Sequence, residues 1–277
     1  MTSHGAQQPR AVQPQAVQPQ AVQPQAVQFQ RGDPAEMAAT LAVSVAQATS
    51  ALLATAAGLS DQQATEPSLL PGWSRGHVLT HLARNADGLR NLLIWARTGV
   101  VTPQYPDGET RDRDIKAGSG RPAAGLAADI EQASAALAAE AAMLADEDWA
   151  AEVAGPGGRA HPAWYTLLRR LTEVEVHHVD LGAGYGPADW PWAFAAECLE
   201  RVAGDFTRPD CPPARLRATD SGAEYRIGPP VTSGTGAEPV TTVAGPTRWL
   251  LAWLIGRADG DGLTTEPAGP LPERPPW

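Results

Sequence analysis

The chain has 277 residues, 43% of them hydrophobic, so it can bury a sizeable core in one large domain or two ordinary ones. Its 31 acidic residues outnumber its 21 basic ones, and the resulting net charge of −10 is spread along the chain. Because a nucleic-acid-binding protein needs a basic stripe to neutralise phosphates, this composition excludes that class and favours a soluble protein.

The cysteines and the termini bear on the cellular compartment. Cys198 and Cys211 lack CxxC spacing and do not suggest a disulfide scaffold, so a reducing compartment fits. The N-terminus has no apolar signal region, and we find no segment that approaches the roughly 20 apolar residues needed to span a bilayer. We therefore expect a cytoplasmic protein with no membrane partner.

Residues 1–32 form a low-complexity segment rich in Gln and Pro. The pentapeptide AVQPQ occurs three times over 11–25 and recurs as AVQFQ at 26–30. Such a segment cannot bury enough apolar surface to offset the entropy of ordering it. We predict a disordered or polyproline-II-like tail, which is either an inert extension or a partner-binding segment.

Helical patterns begin after the tail. Asp33 and Pro34 form a good N-cap and first helical position, and apolar residues recur at helical spacing to about Gly58. Ser74 is expected to cap a second helix, which runs to about Thr98. Both helices present one apolar stripe to the interior.

The next stretch adds further helices and a long connection. Residues 99–121 are rich in Gly, Pro and charge and are predicted to be mostly a loop, which at this length is usually functional or mobile. Helices are predicted over 122–146, 162–182 and 189–206. Four long helices with one buried stripe each predict a four-helix bundle over residues 33–206.

Residues 207–277 have a different pattern. The segments 215–220 and 223–228 look like two short strands around a Ser-Gly turn, and 240–245 looks like a third. A helix that starts at Pro246 is almost wholly apolar and must be buried. The predicted fold is mainly α, a helical bundle followed by a small α+β domain packed on it.

The run EVEVH at 173–177 contains two side chains that are suited to bind a metal ion. Glu173 and His177 are four residues apart, so they share one face of a helix about 6 Å apart at Cβ. Together they could hold one metal ion, and zinc accepts both imidazole nitrogen and carboxylate oxygen. The third ligand must come from another helix. His81, on the inward stripe of the second helix, is the first candidate, and His77 is the reserve.

A site made of two histidines and one carboxylate leaves at least one coordination position open. That pattern is typical of catalytic sites, whereas structural zinc sites are usually closed by four protein ligands. A Glu-x-x-x-His pair is nevertheless common by chance. Spacing alone therefore leaves open a surface Glu–His pair beside an ordinary core histidine.

Longer motifs follow one another along the chain. They are LLPGWSRGHVLTHLARNADGLRNLLIWARTG at 69–99, TPQYPDGETRDRDIKAGSGR at 102–121, RRLTEVEVHHVDLGAGY at 169–185, and VAGPTRWLLAWLIGR at 243–257 with the LP…PPW ending. In this order they resemble the mycothiol-dependent maleylpyruvate isomerase family over roughly residues 34–277. The resemblance implies a DinB-like metal-binding four-helix bundle and a C-terminal α+β domain of sterol-carrier-like character.

The resemblance also implies a set of site residues and a reaction. His81, Glu173 and His177 would be zinc ligands, and mycothiol would be the thiol cofactor for isomerising maleylpyruvate to fumarylpyruvate in gentisate breakdown. In the family an arginine of the C-terminal domain is implied in activity. Arg257 is the best match and Arg248 the second. Arg257 could instead pair with a helix C-terminus.

Such a reaction requires a nucleophile and groups that bind the substrate. The chain offers no well-placed cysteine nucleophile, which agrees with a borrowed thiol. A dicarboxylate substrate needs cations, for which Arg84 and the loop residues Arg111 or Arg113 are candidates, each of which could instead form a surface salt bridge. Asn85, one turn beyond the first histidine candidate, is predicted to orient substrate or water. Asp180 could accept a hydrogen bond from a ligand imidazole or cap a neighbouring segment.

Two other functions fit the same residues. Another mycothiol-dependent enzyme, such as an S-transferase, would share metal and thiol but have different pocket walls. A non-catalytic zinc-binding module would have a closed coordination shell and no thiol-dependent turnover. In such a module the Gln/Pro tail would be the contact segment. For the isomerase we expect a monomer that binds a small dicarboxylate and mycothiol but no nucleic acid.

Overall fold

The structure, a computed structural model, describes residues 32–229, 240–274 and 277. The predicted tail therefore lies outside the described residues except for Gly32. The helices are α1 (Pro34–Ala57), α2 (Asp61–Thr65), α3 (Arg75–Thr98), α4 (Gly108–Gly118), α5 (Ala123–Ala141), α6 (Trp164–Asp180), α7 (Trp192–Asp205) and α8 (Thr247–Leu254). The strands are β1 (Glu152–Ala154), β2 (Ala160–Pro162), β3 (Ala214–Ala218), β4 (Glu224–Ile227), β5 (Thr241–Gly245) and β6 (Thr264–Glu266).

The long helices α1, α3, α5 and α6 pack against one another and form the predicted bundle. Their starts follow the capping signals, since the Asp33 carboxylate accepts from the backbone N–H of Ala35 and the Ser74 hydroxyl accepts from that of His77. Leucines such as Leu82 and Leu126 are fully buried where α3 meets α5. The mainly helical fold class is confirmed.

The prediction of a loop over 99–121 is partly wrong, because α4 lies inside it. The Asp107 side chain accepts from the backbone N–H of Thr110 and caps this helix. Only Ile115 and Gly118 of α4 are buried, so its sequence carries no clear apolar stripe. Capping and a single apolar anchor, rather than hydrophobic periodicity, form this element.

Other boundaries also differ from the prediction. The helix predicted to end at 146 ends at Ala141 and is followed by a single 3₁₀ turn at Asp146–Ala150. The break before α6 contains an antiparallel hairpin of β1 and β2 around the glycines of GPGG. Strand β6 was not predicted, because its sequence is short and mostly exposed and gives no strand signal.

The C-terminal region forms a four-stranded sheet in the order β4-β3-β5-β6. The central pair β3 and β5 is parallel, and the two outer pairs are antiparallel. Helix α8 packs against α7 and buries Leu250, Leu251 and Trp253, as its apolar sequence predicts. The three predicted strands are confirmed, whereas the boundary between two domains at 206 and 207 stays a prediction.

Helix α1 is long and apolar enough to cross a membrane by length and composition alone, with a mean hydropathy of 1.5. The expectation that no segment reaches this threshold is therefore wrong. Alanine, at ten of its 24 positions, supplies much of the hydropathy without forming a continuous run of large apolar side chains. Leu41 and Leu52 are fully buried on the face of α1 that packs in the bundle.

Candidate active site

Three predicted residues meet between α3 and α6. Oε2 of Glu173 lies 2.9 Å from Nε2 of His81 and 3.3 Å from Nε2 of His177. The two imidazole rings are nearly perpendicular, with centroids 4.7 Å apart. One candidate ligand atom from each residue lies within 4.8 Å of the other two, so a single metal ion could contact all three.

The start of α3 fixes the position of His81. Ser74 and His77 form a reciprocal cap, in which Nδ1 of His77 lies 2.8 Å from the Ser74 hydroxyl. His77 is thereby occupied at the helix start, and the cluster found in the described chain contains His81 instead. Trp73 packs edge-on against His81, with ring centroids 5.6 Å apart.

A second carboxylate, that of Asp180, binds the other ring nitrogen of His177. Oδ2 of Asp180 lies 2.8 Å from Nδ1 of His177, so the imidazole donates there and turns the Nε2 atom towards Glu173. Arg257 binds the same carboxylate through two hydrogen bonds, of 3.0 Å from Nε and 2.8 Å from Nη2. Gly256, two residues after the end of α8, lies in the left-handed region at φ 75° that commonly follows a helix C-terminus. The C-terminal region thus supports the cluster through Asp180.

The segment predicted as a functional loop does reach the cluster. Nη2 of Arg111, on α4, lies 3.2 Å from Nδ1 of His81. Its neighbour Arg113 is exposed and contacts Thr110 and Asp114 instead. Of the two loop arginines considered from the sequence, Arg111 is the one placed at the site.

Arg84 and Asn85 have other partners. Arg84 forms ion pairs of 2.8 Å with Asp129 and 2.9 Å with Asp87. Asn85 is buried, and its Oδ1 accepts from Nη1 of the buried Arg170 at 2.9 Å. The helical rotation from His81 turns Arg84 towards α5 and Asn85 into the interior. Neither is among the described residues that line the cleft beside the cluster, so their predicted substrate-binding role gains no support.

The protonation states of the cluster follow from its burial and contacts. Burial lowers the pKa of His81, although its hydrogen bond to Glu173 opposes the effect. Burial acts to lower the pKa of His177 as well, but the Asp180 and Glu173 carboxylates outweigh it and raise the pKa to about 9. Burial would raise the pKa of Glu173, yet hydrogen bonds from His177 and His81 hold it well below its usual range. At pH 7 the metal-free cluster therefore combines an anionic Glu173 with a protonated His177 and a neutral His81.

A cleft of about 400 Å³ opens beside the cluster. Its lining consists of Arg169, Thr172, Glu173, Val176, His177, Arg201, Arg257 and Trp277. The Arg257 guanidinium lies over the Trp277 ring, 5.5 Å from its centroid. A larger cavity, of about 610 Å³ between α1 and α5, is lined by more alanine than any other residue type and contains none of the cluster residues.

Two of the cleft arginines were not identified from the sequence. Arg169 is four residues before Glu173, so the spacing rule that paired Glu173 with His177 could have placed it on the same face. Arg201 lies on α7, and the sequence gives no sign that α7 would contact this end of α6. Gln104, which binds Arg169, was hidden in the predicted loop.

The fold and the site together define a class: a helical bundle with a cluster of two histidines and one carboxylate, joined to a small α+β region. Two family models match the chain, the mycothiol maleylpyruvate isomerase N-terminal domain over residues 45–182 and the C-terminal domain of the same family over residues 189–276. The chain belongs to the mycothiol-dependent maleylpyruvate isomerase family.

Solved structures agree with this assignment. The chain is similar to crystal structures of the mycothiol-dependent maleylpyruvate isomerase and of a variant with one histidine replaced by alanine. Each comparison gives a TM-score of 0.77 at 28% sequence identity and covers 87% of this chain and 97% of the other. A search of the curated proteins gave no match.

Proposed function

We propose that this chain is a cytoplasmic, mycothiol-dependent isomerase that converts maleylpyruvate to fumarylpyruvate in gentisate breakdown, with a divalent metal ion, in the first place zinc, at His81, Glu173 and His177. The observation that carries the proposal is the convergence of three donor atoms within 4.8 Å beside an arginine-lined cleft. Family membership supports the reaction class.

The cluster fits a catalytic metal ion. Two imidazole nitrogens and one carboxylate oxygen are a donor set that zinc accepts while a fourth position stays open. Asp180 holds His177 as a hydrogen-bonded carboxylate commonly holds a metal-bound imidazole. A bound divalent ion would lower the pKa of an incoming thiol or polarise carbonyl oxygens of the substrate.

The thiol has to come from outside the chain. Cys198 is buried, and burial raises the pKa of its thiol, so it is a poor nucleophile. Cys211 is buried as well. A cofactor thiol that enters the cleft would meet no competing cysteine among the described residues that line it.

The reaction itself balances without oxidant or reductant. The thiolate adds to one carbon of the cis double bond, and the electron pair moves to the conjugated carbonyl oxygen as an enolate. The former double bond is now single and rotates. Return of the pair restores the double bond in the trans arrangement and expels the thiolate. Cations lining the cleft would stabilise the enolate charge, which is the role proposed for Arg257.

A spectrophotometric assay tests this function directly. The purified, zinc-loaded chain is mixed with maleylpyruvate, with and without mycothiol, and a generic electrophile is run in parallel. We expect conversion to fumarylpyruvate only when mycothiol is present. Faster conjugation of the generic electrophile, with no isomerisation, would favour an S-transferase. Bound metal without turnover of either compound would favour the non-catalytic module.

Metal loading should release about one proton per ion at pH 7, because Nε2 of the protonated His177 must give up its proton to bind a cation. His177 is protonated below about pH 9, so the apparent affinity for zinc should rise by about tenfold per pH unit from pH 7 towards that value. Competition with a chromogenic chelator between pH 6.5 and 8.5 measures this slope. A flat profile would show that the cluster does not bind the ion through His177.

A further inference from the structure

Two cavities meet at the same pair of arginines. The cleft beside the cluster is adjoined by a second cavity of about 550 Å³, formed by the β1–β2 hairpin and the start of α6. Arg169 and Arg201 line both cavities. A ligand that occupied both cavities would therefore lie beside these two guanidinium groups.

Arg169 is held by neutral partners. Its Nη2 donates to the Gln104 side-chain oxygen at 2.8 Å, and its Nη1 lies 3.3 Å from Nε2 of His161. Burial lowers the pKa of His161, so this ring is neutral at pH 7. Its Nδ1 lies 3.1 Å from the Pro162 carbonyl oxygen and donates to it, which leaves Nε2 as an acceptor for Arg169.

The backbone around Arg169 is shaped to admit its guanidinium. A Cβ atom added to Gly155 in the hairpin would lie only 2.7 Å from Nη1 of Arg169. A Cβ atom on Gly88 of α3 would lie 2.8 Å from the Gln104 carbonyl oxygen, so this glycine lets the partner of Arg169 approach α3. Two separate segments therefore close around one charged group.

Arg201 is positioned in the same manner. Its Nη1 donates to the Tyr165 hydroxyl at 3.1 Å, and its Nη2 donates to the Thr172 hydroxyl at 2.8 Å and contacts the sulfur of Cys198 at 3.4 Å. Its Nε is buried with no hydrogen-bond partner in the part of the chain that the structure describes. The contacts that fix this guanidinium are thus also to uncharged groups.

Three other arginines show a contrast with this pair. Arg84, Arg97 and Arg257 each place a guanidinium nitrogen within 3.0 Å of a carboxylate oxygen. A guanidinium stays charged at any accessible pH, and holding a charge away from water is costly unless it is compensated. Two guanidinium groups fixed by neutral groups at one cleft are therefore suited to bind an anion.

We propose that Arg169 and Arg201 form a carboxylate-binding subsite beside the metal cluster, which selects electrophiles that carry a carboxylate group. The inference rests on the proposed function and assigns two residues that would hold a carboxylate of its substrate. Glu173 lies one turn from Arg169, but its Oε2 atom is engaged by the two histidines of the cluster. Burial lowers the pKa of Arg169, and the nearby charge of Glu173 opposes this effect. Neither guanidinium is hydrogen-bonded to a carboxylate among the described residues, so both can bind an incoming anion.

Binding of succinate, a saturated dicarboxylate that cannot isomerise, tests the subsite without catalysis. Calorimetry on the zinc-loaded full chain compares the native protein with Arg169→Gln and Arg201→Gln. We expect each substitution to weaken succinate binding by about tenfold or more, through loss of charge-assisted hydrogen bonds, with bound zinc unchanged. Arg159→Gln is the matched control, because Arg159 lines only the second cavity and is exposed; it should bind succinate as the native chain does.

The conservative variant Arg169→Lys is a control for misfolding, since it keeps the positive charge and loses the forked geometry of the guanidinium. It should recover part of the succinate affinity that Arg169→Gln loses. Native affinity in both Arg169→Gln and Arg201→Gln overturns the subsite, as does an equal loss in the Arg159→Gln control.

If isomerisation fails but succinate binding depends on the two arginines, the proposed reaction is wrong and the subsite stands. If isomerisation proceeds with native KM in both glutamine variants, the subsite is wrong and the reaction stands.

Discussion

Glu173→Gln is expected to abolish stable metal binding and, with it, isomerase activity. The Oε2 atom of Glu173 is the one atom of the cluster that lies close to both imidazole Nε2 atoms, at 2.9 and 3.3 Å. The amide keeps the shape of the side chain and removes its negative charge. Replacing a group that merely supports a metal ligand typically costs 10–100-fold in metal affinity. Loss of the ligand itself should therefore cost at least about 100-fold.

The measurement pairs metal content with turnover. Zinc per chain is determined by atomic absorption after dialysis against a weak chelator, and the isomerase rate is measured on the same sample. Glu175→Gln is the matched control, because Glu175 sits on another face of the same helix and its carboxylate accepts from the Tyr185 hydroxyl at 2.6 Å. It should retain native zinc. Native zinc content in Glu173→Gln would remove this residue from the metal site.

The side-chain cluster could be predicted in part because helical spacing fixes the relative position of two of its residues. Glu173 and His177 lie on one face of any helix through this segment, whatever packs against it. Pairing them with His81 needed more, since residues far apart in sequence meet only through tertiary packing. The inward apolar stripe of α3 favoured His81 over His77, and the structure places His81 beside Glu173 and His177. The resemblance to a family pointed the same way.

The other partners of the cluster depend on packing that no local pattern encodes. Arg111 reaches His81 only because α4 forms inside a segment with no apolar stripe. Arg201 reaches the cleft only because α7 docks near the start of α6. The predicted roles of Arg84 and Asn85 used the rule that residues three or four apart share a face. That rule does not say whether such neighbours point to a cleft, to solvent or into the core.

Asp180 binds residues from two distant parts of the chain, which helical spacing alone does not predict. Its carboxylate is bound at once by His177 and by Arg257, so it links the end of the C-terminal helix α8 to the metal cluster. Burial would raise the pKa of Asp180, but hydrogen bonds from His177 and Arg257 outweigh it and lower the pKa. The stabilisation is therefore present above the unfolded pKa of about 4 and is lost as the pH falls through the lower folded value.

Asp180→Asn should consequently weaken zinc binding by about 10–100-fold and destabilise the metal-free protein by about 3 kcal/mol at pH 6. The asparagine can accept from one partner, but its amide group then faces the other donor. The stability difference from the native chain should shrink as the pH falls below about 4, where the native carboxylate also takes up a proton. It should shrink again as the pH rises through about 9, where His177 loses its charge.

Urea unfolding of the metal-free proteins across this pH range measures the difference, with Asp205→Asn as a control at an exposed acidic residue.

Combining Asp180→Asn with Arg257→Gln separates two roles of Arg257. If Arg257 acts only by holding Asp180, the double variant should lose no more zinc affinity or turnover than Asp180→Asn alone. If Arg257 also stabilises the enolate, Arg257→Gln should lower kcat in fully zinc-loaded protein, and the two losses should add. A pH-independent stability difference for Asp180→Asn would show that its carboxylate charge does not support the cluster.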